Sequence, residues 1–250
     1  MALVMDGMIS TVDDLRALDS AVLETSTGEN IDLNKKLQVA QDAVHLELSV
    51  FLLRARNNNG VTGPGVDLSN VVATSALRRW HSLRTLAELY SDAYNAQFND
   101  RYLGKWRHYA KQARETADLL FEYGVGLANV AIPRAAKPEV EGAGTGGAIS
   151  GYYVRTAWRT AQGVSGAASE LAALAATNGE LLIVRAGVAP AGAVGFDVYV
   201  GLAEDKLARQ NASPVAAGQA WSMPPQGLVA GPPPPEGQQP DYYVRRNRTL

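Results

Sequence analysis

Histidine is the side chain best suited to move protons near neutral pH or to bind a metal as a neutral ligand, and the chain has three: His45, His81 and His108. All three fall in segments with helical apolar spacing, far apart in sequence. No His-Glu-x-x-His or comparable metal spacing occurs. His45 stands between Val44 and Leu46, the setting of a packed or surface helix histidine rather than a ligand. The carboxylates Glu115, Asp118 and Glu122 follow at steps of three and four and share one helix face. A carboxylate-bridged metal bundle would also need Glu-x-x-His on two helices, which the sequence lacks. Lys111 and Arg114 precede Glu115 and Asp118 by four residues, the spacing of ion pairs on a solvated face.

Nucleophile and phosphate chemistry find no better footing. Ser165 and Ser169 lack the Gly-x-Ser-x-Gly elbow. The glycine-rich run Gly142-Ala143-Gly144-Thr145-Gly146-Gly147 is not followed by the Lys-Ser/Thr and helix that a phosphate loop requires; it reads as a flexible connector. The absence of cysteine removes disulfides, thiolate zinc sites, iron–sulfur clusters and cysteine nucleophiles. The expectation is a protein that is not an enzyme, with no catalytic residues, no cofactor and no metal.

A length of 250 residues suits one large domain or two small ones, and an apolar fraction of 46% allows each a core. The formal net charge of −2 gives no overall field towards nucleic acid or membrane. No apolar run approaches a membrane span, and Met1–Ser10 lacks the basic start and apolar stretch of a secretory signal, so a reducing cytosol is expected. The acceptor patterns Asn211-Ala212-Ser213 and Asn247-Arg248-Thr249 are then not expected to be glycosylated.

The first half reads as helices. Ser10-Thr11-Val12-Asp13 resembles an N-cap with an acid in the first turn, followed by Val12, Leu15, Leu18 and Val22 at helical spacing. Asp32 can cap the next helix, whose stripe is Leu33, Leu37, Ala40, Val44, Leu48 and Phe51. Asp67 or Ser69 can start a third, with Val72, Ala76, Trp80, Leu83, Ala87, Tyr90 and Tyr94. Another stripe, Tyr102, Trp106, Tyr109, Ala113, Ala117 and Leu120, either begins a fourth helix near Asn99-Asp100 or continues the third. Such helices pack as an antiparallel bundle. Arg101, Lys105, Arg107, Lys111 and Arg114 spread round this last helix, either as a solvated face beside its aromatic stripe or as a patch facing DNA or an acidic partner.

The second half changes period. Tyr152–Arg159 alternates, as does Phe196–Val200; Leu181–Val184 and Ala220–Met223 are further strands, and Ser169–Ala176 is ambiguous. Short strands between turn residues indicate a small antiparallel β-sandwich. The expected fold class is therefore α+β. Residues 1–128 form a helical bundle, 129–147 a linker, 148–228 a sandwich and 229–250 an extended arm. In that arm the run Gly231-Pro232-Pro233-Pro234-Pro235 is stiff. It is expected to hold Tyr242, Tyr243, Arg245, Arg246, Arg248 and Leu250 away from the body, as an interface anchor of tyrosines and arginines.

Two sets of residues carry a family resemblance. Tyr94-Asn95-Ala96-Gln97-Phe98-Asn99-Asp100-Arg101-Tyr102-Leu103-Gly104-Lys105-Trp106 resembles a segment of head–tail connector proteins of tailed bacteriophages. Tyr152–Trp158, Ala161-Gln162-Gly163, Gly195–Gly201 and Gln210-Asn211-Ala212-Ser213-Pro214 resemble fibronectin-III or immunoglobulin-like modules of phage virion proteins. The resemblance implies a structural virion protein at the neck, present in the host cytoplasm before assembly. It would form a homo-oligomeric ring, often of twelve copies, below the portal protein. That ring extends the channel for genomic DNA without specific binding, and joins portal to a tail or second neck protein. It further implies that the C-terminal arm docks in the portal. A different reading makes the sandwich a carbohydrate- or protein-binding surface module, with Trp158, Tyr153 and Trp221 stacking on sugar rings.

Overall fold

The computed structural model describes residues 1–59, 66–97, 100–145 and 150–246. The chain is α+β and divides into two compact units. One holds Gly7–Asn129 together with the chain from Pro240 onward; the other holds Met1–Asp6 and Val130–Gln239.

In the helical unit, α1 (Val12–Leu18) is capped by Thr11, whose Oγ1 accepts from the Asp14 amide while the Asp14 carboxylate accepts from the Thr11 amide at 2.7 Å. This reciprocal cap satisfies two amides that a helix start leaves unpaired. The expected single helix through Val22 is broken: α2 (Val22–Gly28) follows α1 after Asp19–Ala21, where the Asp19 backbone is extended and its carboxylate accepts from the Ala21 amide at 3.0 Å. Asp32 caps α3 (Leu33–Asn59), accepting from the Asn34 amide at 2.9 Å. Leu33, Leu37, Ala40, Val44, Leu48 and Phe51 are all buried. Asp67 caps only a 3-10 turn, Leu68–Asn70. Val72 therefore lies before α4 (Ser75–Gln97) rather than in it. α5 (Asp100–Tyr123) is a separate helix. Its Tyr109 stacks on Tyr90 and its Trp106 on Tyr94, each pair with centroids 5.7 Å apart, so α4 and α5 form an antiparallel hairpin. Residues 98 and 99 lie outside the described ones.

After α5 the chain makes a short strand, β1 (Val125–Leu127). The other unit contains β2 (Glu139–Ala143), β3 (Ser150–Thr160), β4 (Ala172–Ala176), β5 (Leu181–Arg185), β6 (Ala193–Gly201), β7 (Ala208–Arg209), β8 (Val215–Ala216) and β9 (Ala220–Ser222). Every pairing is antiparallel. One sheet runs β2-β5-β9; the other runs β4-β3-β6-β7, with β8 also on β6. Val154, Trp158, Phe196 and Val198 of one sheet share a core with Leu182, Val184 and Trp221 of the other, which makes the module a two-sheet sandwich. The ambiguous 169–176 stretch supplies an edge strand, and its β4 partner residues on β3 run from Ser150 to Val154.

The expected boundaries are corrected in three places. Met1–Asp6 belongs to the sandwich unit, with Val4 fully buried and Asp6 accepting from the Leu3 and Arg134 amides at 2.8 Å. The expected linker contains β2, including Gly142 and Ala143; Gly146 and Gly147 lie outside the described residues. The C-terminal arm is no free strut. Pro232 and Pro235 accept from the Arg209 and Ala168 amides of the sandwich unit at 2.9 and 3.2 Å. Gln238 is buried there, donating to Val130 O at 2.7 Å and accepting from the Ile132 amide at 2.8 Å.

Candidate functional site

The residues expected to anchor a partner are partly used on their own chain. Tyr242–Val244 forms β10, antiparallel to β1 with Tyr242 opposite Leu127, Tyr243 opposite Gly126 and Val244 opposite Val125. Asp241 fixes the entry: its amide donates to Leu127 O at 2.8 Å and its carboxylate accepts from the Asn129 amide at 2.7 Å. Glycine is required opposite this strand. A Cβ on Gly126 would stand 2.7 Å from Pro240 Cγ, and one on Gly124, at φ +120°, 2.9 Å from Tyr243 Cβ. Burial is the main reason the Tyr242 hydroxyl titrates above its ordinary value, with Asp241 and Asp67 adding to it. Val244 is buried. The Arg246 amide donates to Phe121 O at 2.7 Å, its guanidinium lies 5.1 Å from the Phe121 ring centroid, and it pairs with Asp118 at 3.2 Å. Tyr243 and Arg245 remain exposed, while Arg248 and Leu250 lie outside the described residues.

Two polar side chains buried in the helical unit, His81 and Asp19, are engaged by their neighbours. His81 is fully buried; its Nε2 lies 3.1 Å from Leu37 O and its Nδ1 2.6 Å from Ser10 Oγ. A carbonyl can only accept, so Nε2 carries the proton and Nδ1 accepts from Ser10. Burial pushes the imidazole down to about 4, reinforced by His45 and opposed by the Leu37 bond. The Ser10–His81 pair thus resembles a nucleophile and base in composition, but both residues are fully buried. Asp19, also buried, accepts from Tyr90 Oη at 2.6 Å, Tyr109 Oη at 3.1 Å and Lys105 Nζ at 2.8 Å. Burial raises the carboxyl, but the Lys105 and Tyr90 bonds outweigh it and the net direction is down. Tyr109 is pushed up to about 12, by burial first and then the Asp19 charge. This cluster ties the α1–α2 junction to the α4–α5 hairpin; neither its members nor their meeting point could be read from spacing.

The sandwich has a second buried carboxylate, Asp197 of β6. It lies 3.4 Å from Arg159 Nε and 3.7 Å from an Arg209 nitrogen, and accepts from Asn211 Nδ2 at 3.0 Å. Tyr199 beside it is pushed up to about 12 by burial and by the Asp197 charge. Of the carboxylates on α5, Glu115 pairs with Lys111 at 3.8 Å as expected, whereas Asp118 pairs with Arg246 rather than Arg114. Among the described residues no cluster of three or more His, Cys, Asp or Glu side chains could hold a metal ion, and no helix is long and apolar enough to cross a membrane.

The sugar platform is not formed: Trp158 and Trp221 are 2% and 9% exposed, and Tyr153 is half-buried. Trp158 meets Phe196 edge to face at 5.8 Å in the core.

The outer face of α3 is aliphatic. On the side of α3 opposite its core stripe, Val39, Leu46, Val50 and Leu53 are 50%, 66%, 39% and 59% exposed. They form one ridge together with the half-buried Ala43. Isolated exposed aliphatics are ordinary, but four on one helical face are a contiguous patch, which marks an interaction surface. Beside α3, a groove of about 570 Å³ runs between α4 and α5, with Trp80, Ala87, Ala113, Ala117 and Phe121 in its lining and Arg246 at its rim. The sequence held the signal for the ridge, since the apolar positions of α3 occupy two faces rather than one. Comparison of the chain with known protein families, curated proteins and solved structures finds no match.

Proposed function

We propose that the chain is a structural, non-enzymatic subunit of a tailed-phage head–tail connector: an adaptor that associates with copies of itself in a ring below the portal and joins portal to tail. The genome passes through without specific binding, and the protein resides in the virion neck after a period in the host cytoplasm. The observation that carries the self-association in this reading is the aliphatic ridge on α3, a contiguous exposed patch of the kind that marks a protein contact; the ring itself rests on the residue patterns. The use of His81, Asp19 and Asp197 as fixed struts supports the non-enzymatic part. The residue patterns at 94–106 and 152–214 supply the connector part.

Portal docking by the arm takes a narrower form than the sequence suggested. With Val244 and Arg246 engaged on α5 and β1, Tyr243 and Arg245 are, among the described residues of the arm, exposed and open to another chain. Negative-stain images of the protein mixed with the portal protein of its source test the reading. A collar of added density beneath the portal ring is expected; portal rings identical with and without the protein would contradict it.

A further inference from the structure

Resting on that reading of the ridge, we propose that its partner is α3 of a second copy, laid antiparallel across a two-fold axis. Val39, Ala43, Leu46, Val50 and Leu53 advance by alternate steps of four and three. This is the heptad pattern that keeps a seam facing a partner helix along its length. The seam spans about 21 Å at the usual helical rise, long enough for several layers of side chains. An antiparallel partner sets Leu46 beside Val50 of the second copy and Ala43 beside its Leu53, so a large residue meets a smaller one in each of these central layers, and Val39 falls opposite Asn57 at each end.

The charges beside the seam choose the direction. Asp42 and Arg56 lie on one flank of it and Glu47 on the other. In a parallel pair, Asp42 would face Glu47 of the second copy, twice, and like charges repel. In the antiparallel pair Asp42 faces Arg56 of the second copy, again twice. Arg56 is exposed and has no ion pair among the described residues, and Asp42 is exposed with only Gln38 donating to it, at 2.8 Å. Glu47 comes close to its symmetry mate near the axis, but each is already neutralised by its own Arg84. The contact is isologous and stops at two copies, so ring growth uses a separate surface.

Sedimentation equilibrium of the full chain over the micromolar range tests the pairing. A reversible dimer is expected. Leu46→Glu should weaken it about tenfold or more without changing helical ellipticity, because Leu46 is exposed in the monomer. Asp42→Arg alone should also weaken it, and Asp42→Arg with Arg56→Asp should restore it; these changes touch only exposed side chains and leave folding intact. In a chain without cysteine, Ser49→Cys sits beside the axis and should form an intermolecular disulfide, whereas Val39→Cys should not. A monomer at every concentration, a dimer indifferent to Leu46→Glu, or crosslinking through Val39→Cys instead of Ser49→Cys would each overturn the proposal. A dimer in a protein that leaves portal rings unchanged would leave this pairing standing while the connector reading fails. A portal collar built by a strictly monomeric chain would do the reverse.

Discussion

Lowering the pH from neutral towards 4 should destabilise the helical unit through one side chain, His81. Buried between Ser10 and Leu37, its imidazole is held down to about 4, whereas in the unfolded chain it titrates near the ordinary value of about 6.5. A base whose folded pKa is depressed stays neutral in the fold while the unfolded chain takes up a proton. Its contribution is therefore complete above about pH 6.5 and is lost progressively as the pH falls towards about 4. At about 1.4 kcal/mol for each pH unit in that window, the loss amounts to about 3 kcal/mol. That is a large part of the stability of an ordinary domain. Urea unfolding followed by helical ellipticity, at several pH values in the window, measures it. His81→Leu, which removes the titrating group while keeping an apolar side chain, should flatten the dependence even though the Ser10 hydroxyl loses its acceptor. If wild type and His81→Leu lose stability in parallel, the buried neutral imidazole is not the cause and the reasoning fails.

Other perturbations follow from the same geometry. Asp19→Ala leaves the Tyr90 and Tyr109 hydroxyls without their acceptor. The expected loss in chemical denaturation is about 2–3 kcal/mol, with water around the half-exposed Lys105 limiting it. Because the Asp19 carboxyl is held below its ordinary value, its contribution is present above about pH 4 and disappears below that, so Asp19→Asn should flatten the acid limb. Gly126→Ala places a Cβ 2.7 Å from Pro240 Cγ. Limited trypsinolysis at Arg245 and Arg246 should accelerate, about tenfold for each 1.4 kcal/mol of docking lost, while an unchanged cleavage rate would mean that β10 is not held as described. Asp197→Ala uncovers two arginines in the sandwich and should cost about 3–5 kcal/mol, read as a lower midpoint of the transition reported by Trp158 and Trp221.

The elements that strong periodicity marks were legible. The core stripes of α3 and α5 and the existence of β3 and β6 came directly from residue spacing, because the pattern of a buried face is local, although β6 is buried on both faces from Gly195 to Gly201. What failed was long-range. From sequence the Pro-rich arm reads as a strut, because proline excludes helix and central strand. Its carbonyls can still accept from a neighbouring strand, though, and no local rule says that Arg209 and Ala168 supply the donors. The three-residue strand β10 is too short for a periodicity signal and exists only because Gly124 and Gly126 leave it room. Val12 to Val22 looks like one helix, and nothing in that stretch says that Asp19 meets tyrosines seventy-one and ninety residues away. The same limit hid the candidate site: the second apolar face of α3 was present in the sequence, but only the fold shows which face the core takes and which is left outside.

Localisation in the particle bears most directly on the central claim. Gold-labelled antibody against the chain, applied to tailed virions from the same source, should mark the junction of head and tail in each particle. Labelling confined to host material, with purified virions bare, would contradict a structural role in the neck.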